Sequence, residues 1–152
     1  MRLGQSFHAY ATMIERDIRR IERARKELFT LNLGGTAIGT TINASDYYLH
    51  HIVPTLAAVT GYPLMQADDL FDATENLDGF VTISNTLKTC AVNLSKMCND
   101  LRLLSSGPRT GFGEINLPPM QNGSSIMPGK INPVIPEVVT CHRKRHHNHD
   151  GG

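Results

Sequence analysis

Between Gly123 and Pro133 the sequence sets two adjacent hydroxyls, Ser124 and Ser125, a cation, Lys130, and an amide, Asn132, within eleven residues. Pro128 and Pro133 cannot donate backbone hydrogen bonds, and Gly123 and Gly129 relax the backbone, so the stretch reads as a loop. One point charge, one amide and two hydroxyls suit an anion. A phosphate-binding P-loop fails on count: five residues separate Gly123 from Gly129 where four are needed, and Ile131 stands where a magnesium-holding hydroxyl is required. Two readings remain. One is a structural turn with incidental polar residues, the commoner state of an arbitrary loop. The other is a dicarboxylate site, with Lys130 on a carboxylate, Asn132 as donor, and Ser124 or Ser125 as base or hydroxyl donor. Serine is a weak base, so this site needs backbone N–H groups around Gly123 to Met127 and nearby positive charge to stabilise an alkoxide. Spacing alone does not choose between them.

The elements that would position this loop read as helices. From Phe7, the residues Phe7, Ala11, Ile14, Ile18, Ile21 and Leu28 recur at spacings of four and three, with Arg25 as the gap, which is a bundle seam. The other face mixes Arg16, Arg19, Arg20, Arg23 and Lys26 with Glu15, Glu22 and Glu27, a solvated surface rather than a nucleic-acid patch. Gly34 to Thr40 reads as a tight interhelical turn, because no strand precedes it as a dinucleotide fingerprint requires. A second helix is expected from a cap at Ser45 or Asp46 to Thr60, stopping at Gly61, with Pro54 kinking or restarting it. His50 and His51, being adjacent, face different ways and read as surface residues.

One long helix is expected from about Asp69 to Ser105, with a seam of Leu70, Ala73, Leu77, Val81, Ser84, Leu87, Ala91, Leu94, Cys98 and Leu101. Its length of roughly 55 Å exceeds the diameter of a domain this size, so it needs partners along its length. Gly107 to Gly111 stops it, residues 112–122 read as irregular, and Val134 to Val139 could begin another helix. The fold class is therefore all-α.

Composition narrows the function. The 152 residues carry a formal net charge of +1, with 40% hydrophobic and 19% charged residues. That balance gives no argument for nucleic acid or an acidic membrane surface. No apolar run is long enough to span a bilayer, and Met1 to Ser6 lack the apolar core of a signal peptide, so a cytoplasmic location is expected. Cys90 and Cys98, eight residues apart on one helix, would stand about 12 Å apart, too far for a disulfide. Cys90, Cys98 and Cys141 read as reduced, buried thiols.

The loop Gly123 to Pro133 resembles the GSSxMPxKxN signature of the aspartase/fumarase superfamily. Gly34 to Thr40, Lys96 to Arg102 and Ser106 to Arg109 resemble the same family in the same order, over nearly everything from Leu3 to about Val139. Glu114 to Pro118, and Asn132 to Val139 with Pro136 before Glu137, look more like the aspartase branch than the class II fumarase branch, which remains the alternative. The resemblance implies deamination of L-aspartate to fumarate and ammonia, with a small dicarboxylate as substrate. It makes Ser124 the general base that takes the Cβ proton. Ser125, Lys130 and Asn132 become substrate contacts, and Glu137 the acid that orients a histidine elsewhere in the family's chain. It implies no metal ligand and no cofactor, with magnesium an activator of some members. It also implies long helices of a central bundle, and a homotetramer whose sites each draw on three subunits.

Residues 1–139 are therefore expected to form part of the central helical-bundle domain. Family chains are roughly three times as long, and their two earlier site motifs would lie upstream of Met1, so an internal fragment, inactive alone, is expected. A non-catalytic helical assembly fragment is the reading from another class. Residues 140–152 do not match and are expected to be an unstructured, aberrant tail. They can be encoded by codons that, one nucleotide over, give a Val-Ile-Gly-Asn-Asp-like run, so a frameshift is the favoured origin. A His/Cys metal site at Cys141, His142, His146, His147 and His149 is the rival reading.

Overall fold

The computed structural model describes residues 2–107, 109–120, 126 and 132–147, with side chains as far as Cys141. In chain order it consists of α1 (Leu3–Ala24), a 3-10 helix (Arg25–Phe29), β1 (Thr30–Leu31), α2 (Asp46–Thr60), β2 (Met65–Gln66), α3 (Leu70–Glu75), α4 (Asp78–Leu104) and α5 (Val134–His147). The fold is helical, as expected. The chain divides into two compact units, one of Met1–Ile14 with Lys88–Gly152 and one of Glu15–Leu87.

In the unit of residues 15–87, α2 begins and ends where its sequence says it should. Ser45 Oγ accepts the Tyr48 N–H (3.3 Å), and Gly61 closes the helix in the left-handed region, φ 71°, with its N–H bonded to the Ala57 carbonyl. Pro54 does not restart it: the helix runs continuously through the proline. Proline withholds only one helical hydrogen bond, and Pro54 lies on the exposed side, where solvent can serve the freed carbonyl. The buried side carries Val53, almost completely buried. The glycine turn before α2 is a close-approach device. A Cβ on Gly39, at φ 84°, would lie 2.4 Å from the Phe71 Cα, and one on Gly34 would lie 2.9 Å from Leu49 Cδ2.

Two features of this unit had no signal in the periodicity. β1 and β2 form a parallel ladder pairing Thr30 with Met65 and Leu31 with Gln66, extended by the Ala67 N–H to the Leu31 carbonyl (2.9 Å). Two-residue strands are too short to show alternation. The expected continuous helix from Asp69 is also broken. Asp69 caps α3 by accepting the N–H groups of Phe71 and Asp72, and α3 ends at Asn76, whose backbone is extended (φ −104°, ψ 140°). The Asn76 side chain donates to Asp72 Oδ1 (2.6 Å), and α4 restarts with the Val81 N–H on the Leu77 carbonyl (3.2 Å). Asparagine competes well for such local bonds, which a count of apolar positions does not register. At 27 residues α4 is about 40 Å long rather than 55 Å.

In the unit containing residues 1–14 and 88–152, Ser95 and Cys98 are buried on α4. Tyr10 on α1 donates its hydroxyl to Asp100 Oδ2 on α4 at 2.8 Å. Phe7 and Tyr10 meet edge to face at 6.0 Å. Beyond α4 the chain folds back at once. The Gly113 N–H binds the Ser106 carbonyl (2.8 Å), and the Glu114 N–H binds the Leu104 carbonyl (2.9 Å), one of the orphan acceptors of the helix end.

The chain itself covers only the later part of each apolar seam predicted on α1 and α4: Ile21 and Leu28 on the first, and Leu94, Cys98 and Leu101 on the second, are shielded. Phe7, Ala11, Ile14 and Ile18 are exposed on α1, as are Leu77 just before α4 and Val81, Ser84, Leu87 and Ala91 on it. Ile18 is 51% and Leu77 64% exposed. Along the first part of α1 the shielded face runs one residue away, through Ser6, Tyr10, Met13 and Asp17, and it joins the predicted seam at Ile21, with Ala24 buried beyond it. Its polar members are satisfied locally: Arg20 donates to the buried Asp17 at 2.8 Å, and Tyr10 donates to Asp100. Apolar periodicity marks what must be covered, not which contact covers it.

The helix after Pro133 extends further than expected, since α5 runs to His147. The expectation of an unstructured tail is corrected for residues 140–147. Arginine and lysine, frequent in this stretch, are good helix formers even without a seam. The Thr140 hydroxyl bonds back to the Pro136 carbonyl (2.7 Å). None of the three cysteines forms a disulfide; Cys98 is buried but Cys141 is exposed, correcting the reading of three buried thiols. His50 and His51 are exposed as expected, with the His51 ring stacked on Tyr47 at 4.1 Å.

Candidate functional site

Of the five residues singled out from the sequence, the structure describes Asn132 and Glu137; Ser124, Ser125 and Lys130 lie outside the described residues. Asn132 and Glu137 belong to one short turn of chain. The Asn132 carbonyl accepts the Val134 N–H (2.9 Å), and the Pro133 carbonyl accepts the Glu137 N–H (3.2 Å). Pro133 at the entry to α5 supplies a fixed φ and needs no hydrogen-bond acceptor for a missing N–H. Asn132 is exposed, and Glu137 stands in the first turn of α5, where a carboxylate complements the helix dipole.

The Glu137 carboxylate faces a cation that sequence reasoning did not assign. Arg102, in the last turn of α4, brings Nη2 to 3.6 Å from Glu137 Oε1. Arg102 was already part of a family-like stretch, Lys96 to Arg102. The only signal for the contact would have been the expectation that α5 starts beside the end of α4.

A second cluster in the same stretch also escaped the sequence. Lys96 pairs with Asp100 one helical turn on, and its ammonium lies 5.3 Å from the centre of the Tyr10 ring. Burial pushes the Asp100 carboxyl up, but the Lys96 ammonium and Tyr10 hydroxyl outweigh this and hold it below its ordinary value. Burial, and then the bond to the Asp100 carboxylate, raise the Tyr10 phenol. The cluster has every charge matched, which suits a clasp between α1 and α4 rather than a reacting centre. Burial alone raises the Cys98 thiol, leaving it a poor nucleophile.

The geometry thus joins a described fragment of the candidate site to the end of α4, in a helical scaffold. A family model described as lyase matches residues 1–145. The chain belongs to the aspartase/fumarase lyase family. The aspartate ammonia-lyase of Pseudomonas aeruginosa is 61% identical over 140 residues, covering 91% of this chain and 30% of the relative. Among solved structures, fumarate lyase:delta crystallin from Brucella melitensis bound to cobalt superposes with a TM-score of 0.87 at 50% identity, over 93% of this chain and 31% of that one. Class II fumarase from Schistosoma mansoni superposes with a TM-score of 0.88 at 30% identity, over 94% and 33%. This lyase chain therefore spans about a third of the length of the relatives it matches.

Among the described residues of the lyase chain, no three His, Cys, Asp or Glu side chains converge to hold a metal. The tail histidines of the rival metal reading lie outside the described side chains. No helix of the described residues is long and apolar enough to cross a membrane.

Proposed function

We propose that this chain serves an ammonia-lyase that reversibly converts L-aspartate to fumarate and ammonia. The supporting observation is the 61% identity to an aspartate ammonia-lyase, set against 30% to a class II fumarase. In this reading Ser124 takes the Cβ proton, the electron pair forms the double bond of fumarate, and the C–N bond breaks to release ammonia. Negative charge gathers on the carboxylate next to Cβ in the transition state. Catalysis then requires donors already in place for that charge, which is the work assigned to Ser125, Lys130 and Asn132. The reaction needs no cofactor, and magnesium enters only as an activator.

The reading extends to a cytoplasmic homotetramer. The exposed apolar seams of α1 and α4 support this, because contiguous apolar stripes of that kind call for a protein partner. A site completed by segments that this chain does not contain is part of the same reading, and the chain alone is expected to be inactive.

The test places residues 1–139 in the Pseudomonas aeruginosa relative in place of its matching stretch, and follows fumarate absorbance. Turnover of L-aspartate is expected, falling by about a hundredfold or more in Ser124→Ala, the scale of losing a positioned base. Turnover of L-malate instead would replace the ammonia-lyase reading with a hydratase, and an unaffected Ser124→Ala would remove the base.

A further inference from the structure

Arg102 and Glu137 are 35 positions apart in sequence, yet their charged groups meet at 3.6 Å. Each also stands at the end of its helix that suits its sign, arginine in the last turn of α4 and glutamate in the first turn of α5. The pair therefore joins the two ends of the 29-residue connection between those helices. Two backbone bonds carry the anchoring from Glu137 to Asn132, from the Glu137 N–H to the Pro133 carbonyl and from the Val134 N–H to the Asn132 carbonyl.

We propose that Arg102 is a positioning residue for the lyase reaction: its guanidinium orients the Glu137 carboxylate and, through one turn of chain, sets the place of Asn132. The proposal rests on the ammonia-lyase reading above. Arg102 Nη2 is paired with Oε1, and no other described residue pairs with the carboxylate, which leaves Oε2 to accept a proton donor of the reacting site. The contact is a single ion-pair approach at 3.6 Å, and arginine suits it better than lysine because the guanidinium keeps its charge and carries further N–H groups that can close on the carboxylate.

Burial separates this role from simple support. Both side chains are more than a third exposed, at 41% and 36%, and pairs so exposed add little to stability. Removing Arg102 should therefore leave thermal unfolding nearly unchanged while misplacing two site residues. Displacements of that kind near a reacting centre lower rates by about tenfold to a hundredfold.

The test uses the hybrid enzyme that carries residues 1–139 in the Pseudomonas aeruginosa relative. Arg102→Met is expected to lower kcat at least tenfold with the melting temperature within a degree or two of the parent. Arg102→Lys should recover part of the loss. The double variant Arg102→Met/Glu137→Gln should be no slower than Glu137→Gln, because both changes disable one unit. A kcat within twofold of the parent in Arg102→Met, or multiplicative losses in the double variant, overturns the proposal. If the hybrid turns over malate instead of aspartate, the functional reading fails while the same cycle, run on malate, still judges Arg102. If the hybrid is inactive on both, the 152-residue chain decides by NMR. The Arg102 guanidinium protons should exchange more slowly with water than in Glu137→Gln, and equal rates would refute the pair.

Discussion

Tyr10→Phe isolates a single hydroxyl. The ring stays, and with it the edge-to-face contact with Phe7 at 6.0 Å and the Lys96 ammonium 5.3 Å from its centre. What is lost is the 2.8 Å bond to the Asp100 carboxylate, made across 90 residues of sequence in a half-buried place. A hydrogen bond to an ionised acceptor contributes about 1.5–3 kcal/mol, and partial exposure places this one near the lower end. We expect about 1.5 kcal/mol of destabilisation at pH 7, read as a lower urea midpoint with unchanged slope. Asp100→Asn should cost a similar amount, and the double variant should cost less than the sum, with a coupling of about 1 kcal/mol. The pH dependence has a definite sign. The Asp100 carboxyl lies below its ordinary value in the folded chain, so its contribution is present above the unfolded value of about 3.9 and is lost as pH falls through the folded value. The Tyr10 phenol is raised, so its contribution is complete below about 10 and is lost as pH rises toward the folded value. Equal midpoints for Tyr10→Phe and the parent at pH 7, or strictly additive losses, would refute the clasp.

Gly39→Ala should destabilise the chain by about 2 kcal/mol or more, combining the cost of a left-handed residue with a Cβ placed 2.4 Å from the Phe71 Cα; an unchanged urea midpoint would refute the close approach. Thiol labelling of the folded chain at pH 8 should modify the exposed Cys141 first and the buried Cys98 last, because burial keeps the latter protonated as well as shielded. Labelling of Cys98 as fast as Cys141 would contradict the packing of α4.

Much of the fold was legible because it depends on local rules. The cap at Ser45 and the stop at Gly61 are determined by residues within a turn of each helix end, and both were found where their types placed them. The break at Asn76 is local too, but it depends on a side chain outcompeting the helix, which apolar spacing overrides in a sequence reading. The family was legible through an unusually specific stretch of sequence, and it holds. Contacts between distant residues were not legible: nothing in the spacing joins Arg102 to Glu137, or Tyr10 to Asp100, since their meeting depends on how helices pack. The apolar seams were seen as seams, and only the structure separates the faces that the chain shields from those it leaves open.

Those open seams bear on every stability measured for this protein. Among the described residues the buried apolar core is small, formed by Ala24, Val53 and Cys98. With so little apolar surface removed from water inside the chain, the proposed homotetramer would draw a large share of what offsets conformational entropy from covering the open parts of those seams. Unfolding of such an assembly obeys mass action. The melting temperature should climb as the protein is concentrated and drop on dilution, so a stability quoted without a concentration describes one point on a curve.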